Sequence, residues 1–150
     1  MSNVQQNPII SAPNADDYYP LAGSAFYHRA KSIDTDGAFA VIEIVTEPGE
    51  SVATHVHQNE DELVYLIEGE IEVTLGDQQM KAGAGVLALL PRGIPHGFTN
   101  IGSDPSRLLV TILPGNFDNY FVEMGKLYQA GEPTEAQFNA LAKQYAIESL

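Results

Sequence analysis

The residues best suited to chemistry in this chain are histidines with a glutamate nearby. Two of the four histidines form the pair His55-Val56-His57. In an extended strand, residues i and i+2 point to the same face, about 6.5–7 Å apart along the strand. At that separation two imidazoles can converge on one ion, each at about 2.0–2.1 Å. The pair therefore predicts a metal site, although paired surface histidines also arise by chance.

A carboxylate ligand can follow the histidine pair directly. Glu62 comes five residues after His57 and begins an apolar run. The polar segment 58–61 between them is typical of a tight turn, so we expect Glu62 to return on the adjacent strand beside the pair. Glu60 and Asp61, which precede it, are alternative carboxylate ligands.

A third imidazole lies far along the chain at His96, between Pro95 and Gly97. Closure of the strands into a barrel would bring it to the same interior point, whereas on its own it is equally typical of a turn or core histidine. The chain has no cysteine, so a metal must be held by nitrogen and oxygen ligands. Three His and one Glu suit one divalent Fe, Mn, Ni, Cu, Co or Zn ion rather than Mg or Ca.

Short β-type runs must position these side chains. They are rich in Val, Ile, Leu and Thr, are separated by Gly and Pro turns, and cover residues 39–46, 62–69, 71–77, 85–91 and 106–113. Several short strands at close spacing predict an all-β antiparallel sandwich or barrel rather than an α/β fold.

After Pro114 the apolar spacing becomes helical. A first helix is predicted from Phe117, Tyr120, Phe121 and Met124, with Gly125 as an interruption or end. A second is predicted from the N-cap Thr134 followed by Phe138, Leu141, Ala142 and Tyr145. We expect the aromatic side chains of both helices to pack on the outside of the barrel or on a partner subunit, without forming a cofactor site.

Length and charge limit the classes of function. The 150 residues fit one domain, and the net charge of −13 disfavours binding to nucleic acid, to anionic membranes and to multiply phosphorylated substrates. The first twenty residues lack a basic start and a continuous apolar core, and no apolar run is long enough to cross a bilayer. A cytoplasmic protein is therefore expected.

Two segments resemble the two motifs of the cupin superfamily. The first, residues 49–69, reads GESVATHVHQNEDELVYLIEG, and the second, residues 85–100, reads GVLALLPRGIPHGFTN. The resemblance implies an all-β fold, a double-stranded β-helix or jelly-roll barrel. This barrel would cover residues 24–114, after an N-terminal arm (1–23) and before a helical C-terminal extension (115–150).

The resemblance also implies a site and an activity. It assigns His55, His57, Glu62 and His96 as ligands of one metal in the barrel mouth, and the C-terminal part is similar to small single-domain bacterial cupins described as quercetin 2,3-dioxygenase-like. A metal-dependent dioxygenase of a small aromatic or enolic substrate, flavonol- or catechol-like, is then expected, with Glu62 also acting as general base. A non-catalytic binding or sensing cupin and a metal-dependent sugar or keto-acid isomerase or lyase are the alternatives. Cupins often pair, so a homodimer is expected.

The pocket wall should come from residues whose side chains point inward like the ligands. On that basis we expect the wall residues Ile42, Ile44, Val64, Leu66 and Phe98, with Val41 and Val45 as the alternative to the first two. Such an apolar wall suits a small organic ligand. His28, the remaining histidine, is expected to have a surface or packing role.

Overall fold

Residues 8–13, 18–21 and 23–150 are described by a computed structural model of the protein. In chain order the strands are β1 (Tyr18–Leu21), β2 (Ser24–Ala30), β3 (Ala40–Thr46), β4 (Ser51–His57), β5 (Asp61–Glu68), β6 (Glu70–Leu75), β7 (Gln78–Gly83), β8 (Leu87–Leu90), β9 (His96–Asn100), β10 (Ser106–Leu113) and β11 (Ile147–Ser149). Two helices, α1 (Asp118–Ala130) and α2 (Glu135–Gln144), precede β11. Single 3₁₀ turns occupy Ser32–Thr35 and Gly115–Phe117.

The strands form two sheets with antiparallel pairing. One sheet has the order β1-β2-β3-β10-β5-β8, and the other has the order β11-β4-β9-β6-β7. Because successive strands such as β4 and β5 lie in different sheets, the chain crosses repeatedly from one sheet to the other. This arrangement is the predicted double-stranded β-helix, followed by the two predicted helices.

Alternation of side chains builds the interior between the sheets. On β10, Leu108, Val110 and Ile112 are buried, and on β3, Ile42 and Ile44 face the same interior. In an antiparallel sheet that packs one of its faces on a core, every second residue of a strand points into that core and is apolar. These buried side chains form one apolar cluster that extends to the aromatic residues of α1.

Two strands lie in the terminal segments. The expected arm contains β1, which pairs with β2, while residues 1–7, 14–17 and 22 of that arm lie outside the described residues. The helical extension ends in β11, which pairs with β4. Within the described ranges, no helix combines the length and the apolar composition that crossing a membrane would require.

The helices follow their sequence signals with one exception. Thr134 caps α2 as predicted, since its hydroxyl accepts from the backbone N–H of Gln137. Gly125, however, does not end α1, which continues to Ala130. A Cβ at Gly125 would lie 2.5 Å from the ring of Tyr19, so this glycine allows the helix to pack directly against β1.

Candidate metal centre

Two hydrogen-bonded strands carry the three clustered histidines. His55 and His57 lie on β4 and His96 on β9, with His55 directly opposite His96 in the register. Gly97 allows this close pairing, because a Cβ at that position would lie 2.8 Å from the carbonyl oxygen of Val52. The pairing is irregular between Val52 and His55. The close approach at Gly97 and this irregularity both lie next to the histidines.

Glu62 reaches the histidines from the facing sheet. Its strand β5 pairs with β10 and β8, so the expectation that Glu62 returns on a strand adjacent to the histidine pair is wrong. The turn after His57 crosses between the two sheets instead of closing a hairpin. The carboxylate therefore approaches the imidazoles across the barrel interior, which gives ligands from opposite walls of one space.

The four side chains converge at short distances. Nε2 of His55 lies 3.1 Å from Nε2 of His57. The Glu62 carboxylate places Oε2 2.9 Å from Nε2 of His96 and Oε1 3.4 Å from Nε2 of His57. The candidate ligand nitrogens of the three histidines all lie within 4.8 Å of one another. Three imidazoles and one carboxylate thus present their donor atoms to one point.

Backbone carbonyls orient two of the imidazoles. Nδ1 of His55 donates to the carbonyl oxygen of Ala53 at 2.7 Å, and Nδ1 of His96 donates to that of Ile94 at 3.0 Å. A ring that donates from Nδ1 in its neutral form keeps the lone pair on Nε2. With both rings neutral, these lone pairs would face the other ligands of the cluster and need a cation between them: either a transition-metal ion, which the N/O donor set fits, or a proton on Nε2 of His96, which Oε2 of Glu62 can accept.

Burial and mutual contacts shift the proton affinities of the cluster. Burial, together with the nearby His96, lowers the pKa of His55 to about 4. Burial alone would raise the pKa of Glu62, but the hydrogen bond with His96 and the neighbouring imidazoles hold it below its ordinary value. Burial opposes protonation of His96, yet the Glu62 carboxylate raises the pKa of His96 overall. His55 is therefore a neutral donor and Glu62 an anionic one near neutral pH.

The two alternative carboxylates lie away from the centre of the cluster. Asp61 accepts from the Arg92 side chain at 2.9 Å, and this bond lowers the pKa of Asp61 to about 2. Glu60 lies beside the far nitrogen of His57, with Oε2 3.5 Å from Nδ1. Of the three carboxylates, Glu62 faces the Nε2 atoms.

A cavity of about 300 Å³ adjoins the cluster. Of the predicted wall residues, Ile44, Val64, Leu66 and Phe98 line this cavity. Ile42 is not among the residues that line it: its side chain is 0% exposed and belongs to the closely packed part of the core. The alternation of side chains along a strand predicts which face of the sheet a side chain lies on, but it does not predict how deeply that side chain is buried.

Aromatic residues of the helices form another part of the cavity wall. They are Tyr120, Phe121 and Tyr128 of α1, Phe138 of α2 and, from the turn before α1, Phe117; the methionine Met124 of α1 also lines the cavity. Phe117 also packs edge-on against the His57 ring, with the ring centroids 4.4 Å apart. These side chains were expected on the outside of the barrel or on a partner subunit, but Phe117, Tyr120 and Phe121 belong to the apolar core cluster and line the cavity. Helical spacing identified these apolar side chains as one face of the helix, but it carries no information about which surface that face contacts.

His28 takes no part in the cluster. It is buried on β2, where Nε2 lies 3.2 Å from Oδ2 of Asp118 and its ring packs edge-on against Tyr19. Asp118 also accepts from the backbone N–H and the hydroxyl of Ser32. This histidine joins β2 to the start of α1, in agreement with the packing role expected for it.

Residues 42–112 match the family model of the cupin domain. This segment of the chain is a cupin domain. This cupin is 34% identical over 80 residues to the tetracenomycin polyketide synthase protein TcmJ of Streptomyces glaucescens, covering 53% of this chain and 52% of that protein. It is 25% identical over 129 residues to quercetin 2,3-dioxygenase of Bacillus subtilis (strain 168), covering 82% of this chain and 37% of that protein. It thus spans about half, or less, of the length of these curated relatives.

Solved structures of cupins share the fold. An RmlC-like cupin from Shewanella frigidimarina NCIMB 400 superposes with a TM-score of 0.65 at 19% sequence identity, covering 77% of this chain and 98% of that chain. At this level of identity the likeness concerns the architecture of this cupin, and its chemistry has to be argued from its own residues.

Proposed function

We propose that this cupin is a metal-dependent dioxygenase acting on a small aromatic or enolic substrate of flavonol or catechol type. The observation that carries the proposal is the junction of a three-histidine, one-glutamate cluster with an apolar cavity. The similarity to quercetin 2,3-dioxygenase over most of this chain supports the same activity.

The proposed cofactor is one divalent transition metal, Fe, Mn, Ni, Cu, Co or Zn, held by His55, His57, Glu62 and His96. Ligand type alone does not distinguish these ions, because their affinities follow a common order and cellular supply decides among them. When bound, such an ion polarises a substrate oxygen as a Lewis acid and, if redox-active, exchanges electrons with dioxygen.

Glu62 has the properties of a general base in this proposal. Its carboxylate is ionised near neutral pH, is buried, and forms part of the cavity wall. A substrate hydroxyl at the cluster would lose its proton to one of the two carboxylate oxygens, and the resulting oxyanion would lie beside the ligand nitrogens. The largely apolar wall lowers the local dielectric constant, which strengthens these electrostatic interactions.

The composition of the cavity wall argues for the substrate class. Among the described residues that line the cavity there is no Lys or Arg. A keto acid, a dicarboxylate or a sugar phosphate would therefore have no cationic partner there apart from a metal. An aromatic or enolic molecule needs polar contacts only at its oxygen-bearing edge, and its rings can pack on Val64, Leu66 and Phe98. The apolar cavity wall without Lys or Arg therefore favours a dioxygenase over a sugar or keto-acid isomerase.

Oxygen consumption tests the proposal. The protein, loaded separately with each candidate ion, is mixed with quercetin, a catechol and an enediol in an oxygen electrode. We expect oxygen uptake that matches substrate loss with at least one ion. Glu62→Gln should lower kcat by about 10²–10⁴-fold, whereas Glu70→Gln, which removes one exposed negative charge, should leave it unchanged.

Two other results would favour the alternatives. Tight binding of these compounds by the metal-loaded protein, with no oxygen uptake from any of them, would indicate a binding or sensing cupin. Conversion of an aldose or a keto acid without oxygen would indicate an isomerase or lyase.

We also propose that the protein is a homodimer that pairs through the outer face of the six-stranded sheet. On that face Leu63, Tyr65, Leu87 and Leu89 are 38–65% exposed, and they lie on the neighbouring strands β5 and β8. A group of exposed apolar side chains on adjacent strands is typical of a protein interface.

A further inference from the structure

His57 differs from the other two histidines of the cluster in the surroundings of its Nδ1 atom. Nδ1 of His55 and Nδ1 of His96 each donate to a backbone carbonyl two residues earlier. Nδ1 of His57 is buried and makes no hydrogen bond to any described residue. An unpaired buried ring nitrogen is costly, so this atom requires an explanation.

The carboxylate of Glu60 lies beside this nitrogen. Its Oε2 lies 3.5 Å from Nδ1 of His57, and this oxygen is likewise buried without a hydrogen-bond partner among the described residues. The two side chains are only 2% and 9% exposed. Two unsatisfied buried atoms therefore face each other, slightly beyond the usual range for a hydrogen bond of about 2.7–3.2 Å.

The chemistry of the pair determines where the proton lies. An ionised carboxylate only accepts hydrogen bonds, so a favourable contact requires the proton on Nδ1 of His57. A neutral ring with its proton on Nδ1 keeps its lone pair on Nε2, and Nε2 is the atom that faces His55 and Glu62. Glu60 thus favours the tautomer that a metal ligand needs.

We propose that Glu60 is the positioning residue for His57, with its carboxylate holding the Nδ1 proton so that Nε2 serves as a metal donor. The inference rests on the metal site of the proposed function, but it does not depend on the reaction performed there. Glu60 lies on the side of the ring opposite the cluster, and so it acts through His57 rather than as a ligand.

Zinc binding provides a test that needs no enzymatic turnover. The dissociation constant for Zn²⁺ is measured by competition with a chromogenic chelator for the wild type, Glu60→Ala, Glu60→Gln and the control Glu70→Gln. Loss of an acceptor behind a metal-bound histidine weakens binding by about 10–100-fold. We expect that loss for Glu60→Ala and a smaller one for Glu60→Gln, whose amide oxygen still accepts, whereas Glu70→Gln should bind like the wild type.

A spectroscopic measurement separates positioning from general damage to the fold. In ¹⁵N-resolved spectra of the zinc-loaded wild type, the Nδ1 protons of His55, His57 and His96 should all be protected from exchange. In Glu60→Ala only the His57 signal should be lost or exchange rapidly. A zinc affinity of Glu60→Ala within twofold of that of the wild type, or an unchanged His57 signal in Glu60→Ala, would overturn the inference. A wild type that binds no zinc would overturn the metal site itself, whereas zinc binding without oxygen uptake would leave Glu60 in its role and remove only the dioxygenase.

Discussion

The buried histidines His28 and His57 both face a carboxylate, but their surroundings differ. His28 has Asp118 at 3.2 Å and an aromatic ring beside it, whereas His57 has two further imidazoles and Glu62 on its other side. One imidazole with one carboxylate is a structural contact. Three imidazoles that direct Nε2 atoms at one point repel one another electrostatically unless a proton or a cation lies between them.

This contrast gives a matched pair of variants. We expect His57→Ala to weaken metal binding by more than about 100-fold, because it removes a ligand rather than a group behind one. His28→Gln should retain one metal per chain and lose stability instead. The ratio of metal to protein after reconstitution and desalting, measured by elemental analysis, checks both. Equal metal content in His57→Ala and the wild type would show that the cluster is not the site.

At the scale of elements, the attachment of α1 depends on its first residue. Asp118 accepts from the backbone N–H and the hydroxyl of Ser32, each at 2.8 Å, and contacts His28. Burial alone would raise the pKa of Asp118, but these hydrogen bonds outweigh it and hold the pKa below its ordinary value. The negative charge also lies at the N-terminus of α1, where the helix dipole favours it.

The lowered pKa of Asp118 determines the sign of a pH effect. Its contribution to stability is complete above the pKa of the unfolded chain, about 3.9, and is lost as the pH falls through the lower pKa of the folded protein. Asp118→Asn should lower the free energy of unfolding by about 1–3 kcal/mol at neutral pH. It should also flatten the decline in stability between about pH 5 and pH 3.

Urea denaturation across that pH range measures the effect, with Asp77→Asn as the control because Asp77 is exposed in a turn. Parallel pH profiles for Asp118→Asn and the wild type would contradict the proposed anchoring role of Asp118.

The prediction from sequence succeeded for elements with a strong repeating pattern. Strands β3, β5, β6, β8 and β10 overlap the apolar runs, and Thr134 begins α2 as its capping pattern indicates. Strand β7, with the sequence QQMKAG, was not predicted because it contains no β-branched or aromatic residue. Its conformation depends on pairing with β6, which is a tertiary effect.

The environment of the site was harder to predict than its residues. The motif spacing grouped His55, His57, Glu62 and His96, but it did not indicate that Glu62 would come from the facing sheet. Nor could helical spacing show that Phe121 and Met124 line the cavity. Strand periodicity gives the direction of a side chain, whereas the sheet to which a strand belongs depends on contacts distant in sequence.

At the scale of the whole molecule, charge and exposed apolar surface are unevenly distributed. The chain has a net charge of −13, so two copies repel each other over most approach directions. On the outer face of the six-stranded sheet, Leu63, Tyr65, Leu87 and Leu89 are exposed and uncharged. In the homodimer proposed here, these uncharged side chains would face each other across a symmetric interface.

A single charge on this face should disrupt the dimer. Leu89 is 65% exposed, and Leu89→Lys would place an ammonium group in the centre of the interface, which should weaken dimerisation by at least about tenfold. Ile33→Lys, at an 83% exposed position in the turn after β2, is the control and should leave the dimer intact. Sedimentation velocity over a range of protein concentrations measures the difference. A monomeric wild type at high concentration would rule out this interface.

The pairing of β11 with β4 has a consequence for the timing of site assembly. The strand that carries His55 and His57 is bordered by β9 on one side and by residues 147–149 on the other. Ile147 and Ser149 also line the cavity. During synthesis the ribosome releases these residues long after the histidines. If β4 holds its histidines in place only when paired on both sides, an ion bound by the proposed cluster would be retained only by chains that have added β11.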